Sequence, residues 1–449
     1  MSATRARFAV QPYLTRLRAS MADELPAHGL PLIDGRRWSD RVLVTCALLW
    51  SVVGGDTLAA RLAAARDAVV KMYPSRRRPG ATYEGFAKAL AARGDGLMGA
   101  LAGHLRARTR EVAEAAGRWR VGRFVAFAAD ASKWGMPMTR ANELAFGCAG
   151  RDHCGPHALL AVLVHLGTGL PWAWRVGRAR DGERALLRAM LEDLPAGALL
   201  VADAGFVGFD LLKTILACGH PFVIRVGANV RLIEGLGYAA RERGGGVVYV
   251  WPKDRRGFAP LVLRRVVVVD GRNRRVTLLT SVLDPAAMTD AEAAAVYALR
   301  WGIELFYRAL KQTVGRDRLL SDAPGHATAE AHWAMAGLWV LGLMMTRAGD
   351  PAAPRASVAA ALRAVRDAIA GRACTVAGDR AAGTPRRRVT LRAALRLALP
   401  DGYARAGPKA ARHWPHKKRD RPPGEPHARM AEESEVRQAL ALRARRSAA

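Results

Sequence analysis

Acidic residues are scarce in this chain. Its 449 residues include 39 aspartates and glutamates against 70 lysines and arginines, a formal net charge of +31. That imbalance argues against a protein built to meet a basic partner and favours a polyanion, with DNA or RNA ahead of a membrane surface. Lysine is itself the minor cation beside arginine, and alanine is abundant. A GC-rich genome accounts for part of that pattern, so part of the charge carries no message about partners. Cysteine is sparse too: Cys46, Cys148, Cys154, Cys218 and Cys374 are odd in number and scattered. This excludes a disulfide framework and fits free thiols in a reducing cytoplasm. Long apolar runs are missing. Val42–Val53 and Ala334–Met345 are too short to cross a bilayer, and no apolar core follows the opening MSATRARF, so neither a membrane partner nor a secretory signal is expected. There is no internal repeat.

What is present is a globular composition, 51% hydrophobic, in a chain long enough for two to four domains. From Trp38 to about Val121 the apolar periodicity predicts helices, broken by the basic stretch Ser75–Gly80. After Arg123 the texture becomes strand-like. FVAFAAD (Phe124–Asp130) and GALLVADAGF (Gly197–Phe206) are short apolar runs that each reach a carboxylate, Asp130 and Asp203. Residues from about 227 to 287 alternate β-type runs with GGG, KDRRG and DGRNRR turns, which predicts a β-rich insertion. The last hundred residues are rich in Pro, Arg and Ala, and Gly407–Arg429 reads as loose.

The most informative stretch is TDAEAAAVYALRWGIELFYRALKQTVG, Thr289 to Gly315. Thr289 and Glu292 have capping-box spacing, and Gly315 stands where a terminal glycine releases a helix. The spacing predicts one long helix, with Leu299, Ile303, Phe306 and Leu310 on its buried side. At about 100° per residue, Tyr297, Arg300, Glu304 and Lys311 fall within roughly 60° of one another. A phenol, a guanidinium, a carboxylate and an ammonium then share one stripe. Such a stripe suits a metal beside a phosphate backbone. A solvated, salt-bridged face has the same spacing. Asp130 and Asp203 sharpen the choice. Open α/β sheets place their sites beyond strand ends, where two such carboxylates converge if their strands are neighbours and Glu304 is able to join them. Three carboxylates suit two Mg²⁺ or Mn²⁺ ions for in-line displacement at phosphorus.

The pattern Y-x2-R-x3-E-x6-K, unbroken at Tyr297, Arg300, Glu304 and Lys311, resembles the signature of DDE transposases of the insertion-sequence-four type. ADASKW around Asp130 resembles the first aspartate block of that family. ADAGF around Asp203 resembles the second, D-x-G-[YF]. The resemblance covers roughly Trp119 to Gly349. It implies an α/β fold with an RNase H-like catalytic core at 119–349 carrying the β-rich insertion. An all-helical, DNA-binding region at 1–118 would precede that core, and a basic, partly disordered region at 350–449 would follow it. It further implies metal-dependent cleavage at transposon ends and strand transfer. Asp130, Asp203 and Glu304 would be the metal-binding triad for two Mg²⁺ or Mn²⁺ ions. Tyr297, Arg300, Lys311 and Trp301 would touch DNA. The partners implied are terminal inverted repeats, target DNA and a second copy of the chain in the DNA complex. The setting implied is the bacterial cytoplasm, on the nucleoid when DNA is bound. Trp134 is a further base-stacking candidate, with core packing preferred for it. Gly302 and Ala131 depart mildly from the family pattern without removing a chemical group.

Three other readings have less support. Cys148, His153, Cys154 and His157 lack paired zinc-ligand spacing. A tyrosine recombinase would leave the three carboxylates unexplained. An inactive, transposase-derived DNA-binding protein is the remaining alternative, and loss of one carboxylate would favour it, yet all three are present.

Overall fold

The computed structural model describes residues 11–30, 37–75, 78–148, 155–239, 246–269, 275–349, 357–376, 387–398 and 424–448. Four helices come first: α1 (Gln11–Ala22), α2 (Asp40–Val52), α3 (Leu58–Met72) and α4 (Tyr83–Ala115). Thr57 and Thr82 start α3 and α4 by accepting the backbone N–H of Ala60 and Gly85. Every residue of α2 from Val42 to Val52 is buried, as expected of a helix apolar on all sides. It lies against the long helix α10 (Pro324–Ala348), which is apolar over most of its length. At their crossing a Cβ on Gly337 would stand 1.9 Å from Ser51 Oγ, so only glycine permits this approach. No helix among the described residues is long and apolar enough to cross a membrane.

Among the described residues, ten of the strands form one sheet in the order β12-β6-β7-β8-β9-β5-β4-β1-β2-β3. Strands β1 (Ala126–Gly135), β2 (His157–His165) and β3 (Pro171–Arg178) are an antiparallel meander. The short helix α6 (Glu183–Arg188) leads to β4 (Leu199–Ala202), and α7 (Phe209–Ala217) leads to β5 (Phe222–Val226). Both strands run parallel to β1. Alternation along β1 sends Ala126 and Ala128 to one core and Phe127 and Ala129 to the other. The first core holds the N-terminal helices, α10 and the helix after Thr289. The second holds α6, α7 and the later strands. The sheet is therefore a partition with apolar packing on both faces, which is why β2 is buried along nearly its whole length.

The expected insertion at about 227–287 does not stand apart. Its strands β6 (Arg231–Glu234), β7 (Val247–Val250), β8 (Leu261–Val269) and β9 (Arg275–Thr280) continue the central sheet, with β9 antiparallel to β5. That pairing covers the edge β5 would otherwise expose. The tail also departs from expectation. The end of the stretch expected to be loose, His427–Arg429, lies in strand β12 (His427–Met430), parallel to β6. It is followed by helix α13 (Glu433–Ala448). Arg256 and Arg429 both grip Glu435, with Arg256 Nη2 and Arg429 Nη2 each 2.5 Å from Oε1, and this clamps α13 to the sheet edge. Residues 407–423 of that stretch lie outside the described residues. Between α10 and β12 lie α11 (Val358–Ile369), a small ribbon of β10 (Cys374–Val376) and β11 (Arg387–Val389), and α12 (Leu391–Arg396). One further helix, α5 (Arg140–Phe146), follows β1. Beyond it a bridge pairs Cys148 with Pro156, while His153 and Cys154 lie outside the described residues, as do Arg76 and Arg77 of the basic loop.

The expected single helix from Thr289 to Gly315 is interrupted. Its ends are as read: Thr289 Oγ1 accepts from Glu292 N–H (3.1 Å), Glu292 Oε2 accepts from Thr289 N–H (2.8 Å), and Gly315 is left-handed at φ 77°. Between them, α8 (Asp290–Leu299) ends at Arg300, and α9 (Trp301–Arg308) passes into a π turn, Ala309–Thr313. The break is a tight turn, with Arg300 N–H bonded to Tyr297 O and Ile303 N–H bonded to Arg300 O. Gly302, the weakest helix former in the segment, lies beside it. The tight turn rotates Leu299 outward to 38% exposure, whereas Ile303, Phe306 and Leu310 are buried as expected.

Candidate active site

β1 does not stop at Asp130, as the apolar run suggested, but continues to Gly135. Its parallel neighbour β4 is the one that stops. Ala126, Phe127 and Ala128 pair with Leu199, Leu200 and Val201, and β4 ends at Ala202. Carried two residues further, that register sets Asp130 against Asp203, on backbones about 4.8 Å apart. Both aspartates are half-buried. Asp130 Oδ1 accepts the N–H of Ala131 (2.8 Å). Asp203 Oδ1 accepts the N–H of Gly205 (2.9 Å) and so caps the tight turn that follows β4.

Helix α9 brings the third carboxylate to the same sheet. Tyr307 is its anchor. The phenol is buried and its hydroxyl lies 3.0 Å from Asp130 O and 2.9 Å from Leu160 O, on β1 and β2. Burial and the charges of Asp130 and Glu183 push its ionisation well up, so it stays a donor. Glu304 sits one turn before Tyr307. Its Oε1 accepts from Arg300 Nη2 at 3.0 Å, with Glu304 37% exposed and Arg300 15%. Burial works against the Arg300 charge, but Tyr297, Glu304 and Asp203 outweigh it and the net shift is upward. Arg300 therefore stands electrostatically between the carboxylates, with its guanidinium 5.7 Å from the Tyr297 ring centre. Burial raises the Tyr297 phenol, which is neutral.

Lys311 comes from the π turn, not from the continuation of a regular helix. The wide turn, with Val314 N–H bonded to Ala309 O, moves it onto β1. There its Nζ donates to Ser132 Oγ (2.6 Å) and Lys133 O (2.7 Å). Burial lowers its pKa, opposed by Asp130 and Asp317. Trp301 is 57% exposed, which removes core packing as its role. Trp134 is the reverse: fully buried, its indole N–H donates to Arg316 O (2.7 Å) and ties β1 to the end of the Thr289–Gly315 segment.

Electrostatically the site is short of positive charge. Asp130 is pushed up to about 6, first by burial and then by Asp203 and Glu183, against the pull of the Ala131 N–H and Arg300. A divalent cation is the group that would relieve such a carboxylate, and an all-oxygen donor set suits Mg²⁺ or Mn²⁺. Among the described residues no three acidic, histidine or cysteine side chains already converge on one metal position. The carboxylate oxygens are of the kind such a cation accepts, and Glu304 would have to give up Arg300 to join them. Sequence reading missed two residues here. Tyr307 carried a signal, since three residues after Glu304 puts it on the same face of α9. Glu183 carried none, because only the chain path places α6 beside Asp203.

An acidic pair on adjacent parallel strands, beside an interrupted helical segment bearing Tyr297, Arg300, Glu304 and Lys311, defines a class of α/β protein with a carboxylate site flanked by cations. Residues 123–341 match the family model described as "Transposase DDE domain", a stretch that contains all of these groups. The chain resembles the transposase InsG of insertion sequence element IS4 from Escherichia coli K12, with 28% identity over 210 residues. That match spans 43% of this chain and 45% of InsG, so less than half of either protein is aligned. The core of the chain thus resembles the DDE transposases of the insertion-sequence-four type. Among solved structures, a synaptic complex of piggyBac transposase with hairpin DNA matches at a TM-score of 0.39 and 12% identity, over 89% of this chain and 84% of that one.

Proposed function

We propose that this chain is an active DNA transposase that cleaves transposon ends and joins them to target DNA. The observation that carries this reading is the level setting of Asp130 and Asp203 on adjoining parallel strands, with Glu304 delivered by a helix whose Tyr307 bonds to the backbone of Asp130 itself. The strand order β3-β2-β1-β4-β5, antiparallel then parallel, supports an RNase H-like core at 119–349. In this reading 1–118 is a helical DNA-binding region and 350–449 a basic C-terminal region.

Asp130, Asp203 and Glu304 would hold Mg²⁺ or Mn²⁺, as two ions, which supply activation of the attacking hydroxyl and charge neutralisation at the leaving oxygen. In cleavage a water oxygen bonds to phosphorus as the bridging P–O3′ bond breaks, and the 3′-oxygen leaves with a proton as a free hydroxyl. In strand transfer that hydroxyl attacks a target phosphate in the same way. Arg300, released from Glu304, and Lys311, poised on β1, would hold phosphate oxygens of the transposon end. Tyr297 positions Arg300 and reaches the same backbone. Trp301, exposed beside the site, would stack on an unpaired base. The partners are terminal inverted repeats and target DNA, with a second copy of the chain in the complex. The setting is the bacterial cytoplasm, on the nucleoid when DNA is bound.

The test is a cleavage assay on DNA bearing the ends that flank the gene, with Mg²⁺, Mn²⁺ or chelator, beside Asp130→Asn and Glu304→Gln. Metal-dependent nicking at the boundary, lost in both variants, is expected. Tight end binding by the wild type without any cut would instead identify a transposase-derived DNA-binding protein.

A further inference from the structure

We propose that Glu183 is a fourth carboxylate of the active site, placed to share the divalent cation with Asp203. The inference rests on the reading of Asp130, Asp203 and Glu304 as the metal-holding group and adds a residue to it from a different element.

Glu183 is the first residue of α6, the short helix between β3 and β4. Its position is set by its neighbour: Arg184 Nε donates to Gly205 O (2.9 Å), which ties the start of α6 to the turn that Asp203 caps. A Cβ built on Gly205 would stand 3.1 Å from Asp203 Oδ1 and 3.6 Å from Glu183 Oε2. Two carboxylate oxygens from separate elements therefore face one small opening, and the missing side chain at 205 keeps it clear. This gives a physical reason for glycine in the D-x-G block. Any larger residue would enter the space between the two oxygens.

The charge of Glu183 is felt at Asp130. It is among the causes that raise Asp130, and Asp203 in turn raises Glu183, after burial and against Lys133 and Arg184. Among the described residues the Glu183 carboxylate makes no hydrogen bond or ion pair that would explain its place structurally. Three half-buried like charges held together cost stability unless a cation joins them. A Glu183 that shares the cation would weaken the metal-free fold and strengthen the metal-bound one, which a purely structural residue would not do. Carboxylates are the ligands that Mg²⁺ and Mn²⁺ accept, alongside retained waters.

The experiment uses the full chain. Mn²⁺ binding is measured by calorimetry and by the electron paramagnetic resonance signal of free Mn²⁺, and melting is followed in EDTA. Glu183→Gln and Asp130→Asn are compared with wild type, and Glu192→Gln, an exposed carboxylate just after α6, is the charge control. Glu183→Gln should weaken Mn²⁺ binding about tenfold or more while leaving the melting temperature in EDTA unchanged or higher. Glu192→Gln should alter neither. The inference is overturned if Glu183→Gln binds Mn²⁺ like wild type while Asp130→Asn does not, and the triad then stands without it. It is overturned too if Glu183→Gln melts lower in EDTA, or if Glu192→Gln weakens binding equally. If neither Glu183→Gln nor Asp130→Asn changes Mn²⁺ binding, the triad reading falls with it.

Discussion

Tyr307→Phe removes one oxygen and tests whether the helix bearing Glu304 is held to the sheet as the geometry says. The ring would remain, buried and edge-on to Phe306 at 5.8 Å, so no cavity of consequence forms. What is lost is a donor shared by Asp130 O and Leu160 O, at 3.0 and 2.9 Å. A single hydrogen bond contributes roughly 0.5–1.5 kcal/mol net, and a buried carbonyl left without its partner adds a desolvation penalty of order 1–3 kcal/mol. Carbonyl oxygens have two lone pairs, and strand carbonyls keep other partners, so the lower part of that range applies. About 1–2 kcal/mol of destabilisation is expected. Urea unfolding should show the midpoint falling with the slope unchanged. Because Tyr307 bonds to the backbone of Asp130, cleavage should fall by at least about tenfold, the scale expected when a reacting group is misplaced by a fraction of an ångström. Tyr297→Phe is the comparison, since it leaves the anchor to the sheet untouched. If Tyr307→Phe unfolds within about 0.3 kcal/mol of wild type and cuts normally, the phenol is not the anchor and the argument for how α9 is placed fails.

Other perturbations probe separate parts of the molecule. Glu330 is 2% exposed and accepts from Leu320 N–H, Ser321 N–H, Ser321 Oγ and Arg61, so Glu330→Ala leaves a buried guanidinium without its anion and should cost about 3–5 kcal/mol in urea unfolding. Glu435 is pulled down to about 2, first by Arg429 and also by the Glu432 N–H and Arg256. A depressed carboxylate stabilises above its unfolded pKa of roughly 4.3 and loses that contribution as pH falls through the folded value. Hydrogen exchange corrected for intrinsic rates should therefore show residues 427–448 losing protection between about pH 5 and 2, and Glu435→Gln should flatten that profile. Trp301→Ala should weaken binding to a DNA end with an unpaired base by about 1–3 kcal/mol in fluorescence anisotropy. Its unfolding should stay within about 0.5 kcal/mol of wild type, because the indole is exposed.

Some of this was written locally. The caps at Thr57, Thr82 and Thr289, the left-handed Gly315 and the apolar faces of the helices need only neighbouring residues, so their spacing announces them. The chemical groups of the site were equally legible, because Tyr297, Arg300, Glu304 and Lys311 sit on one segment and each aspartate follows an apolar run. Tertiary structure decided what those groups meet. The level setting of Asp130 and Asp203 is a register between strands about seventy residues apart. Strands β6 to β9 joined the main sheet because β5 had an open edge, a condition no residue within them records. The break at Arg300 and the π turn at Lys311 adapt a helix to the surface beneath it, so uniform periodicity put both residues slightly wrong. Glu183 reaches Asp203 only because Arg184 ties α6 to the turn at Gly205. Periodicity and capping act over a few residues and can be read from sequence. Strand pairing, burial and the meeting of charges act across the chain and exist only once it has folded.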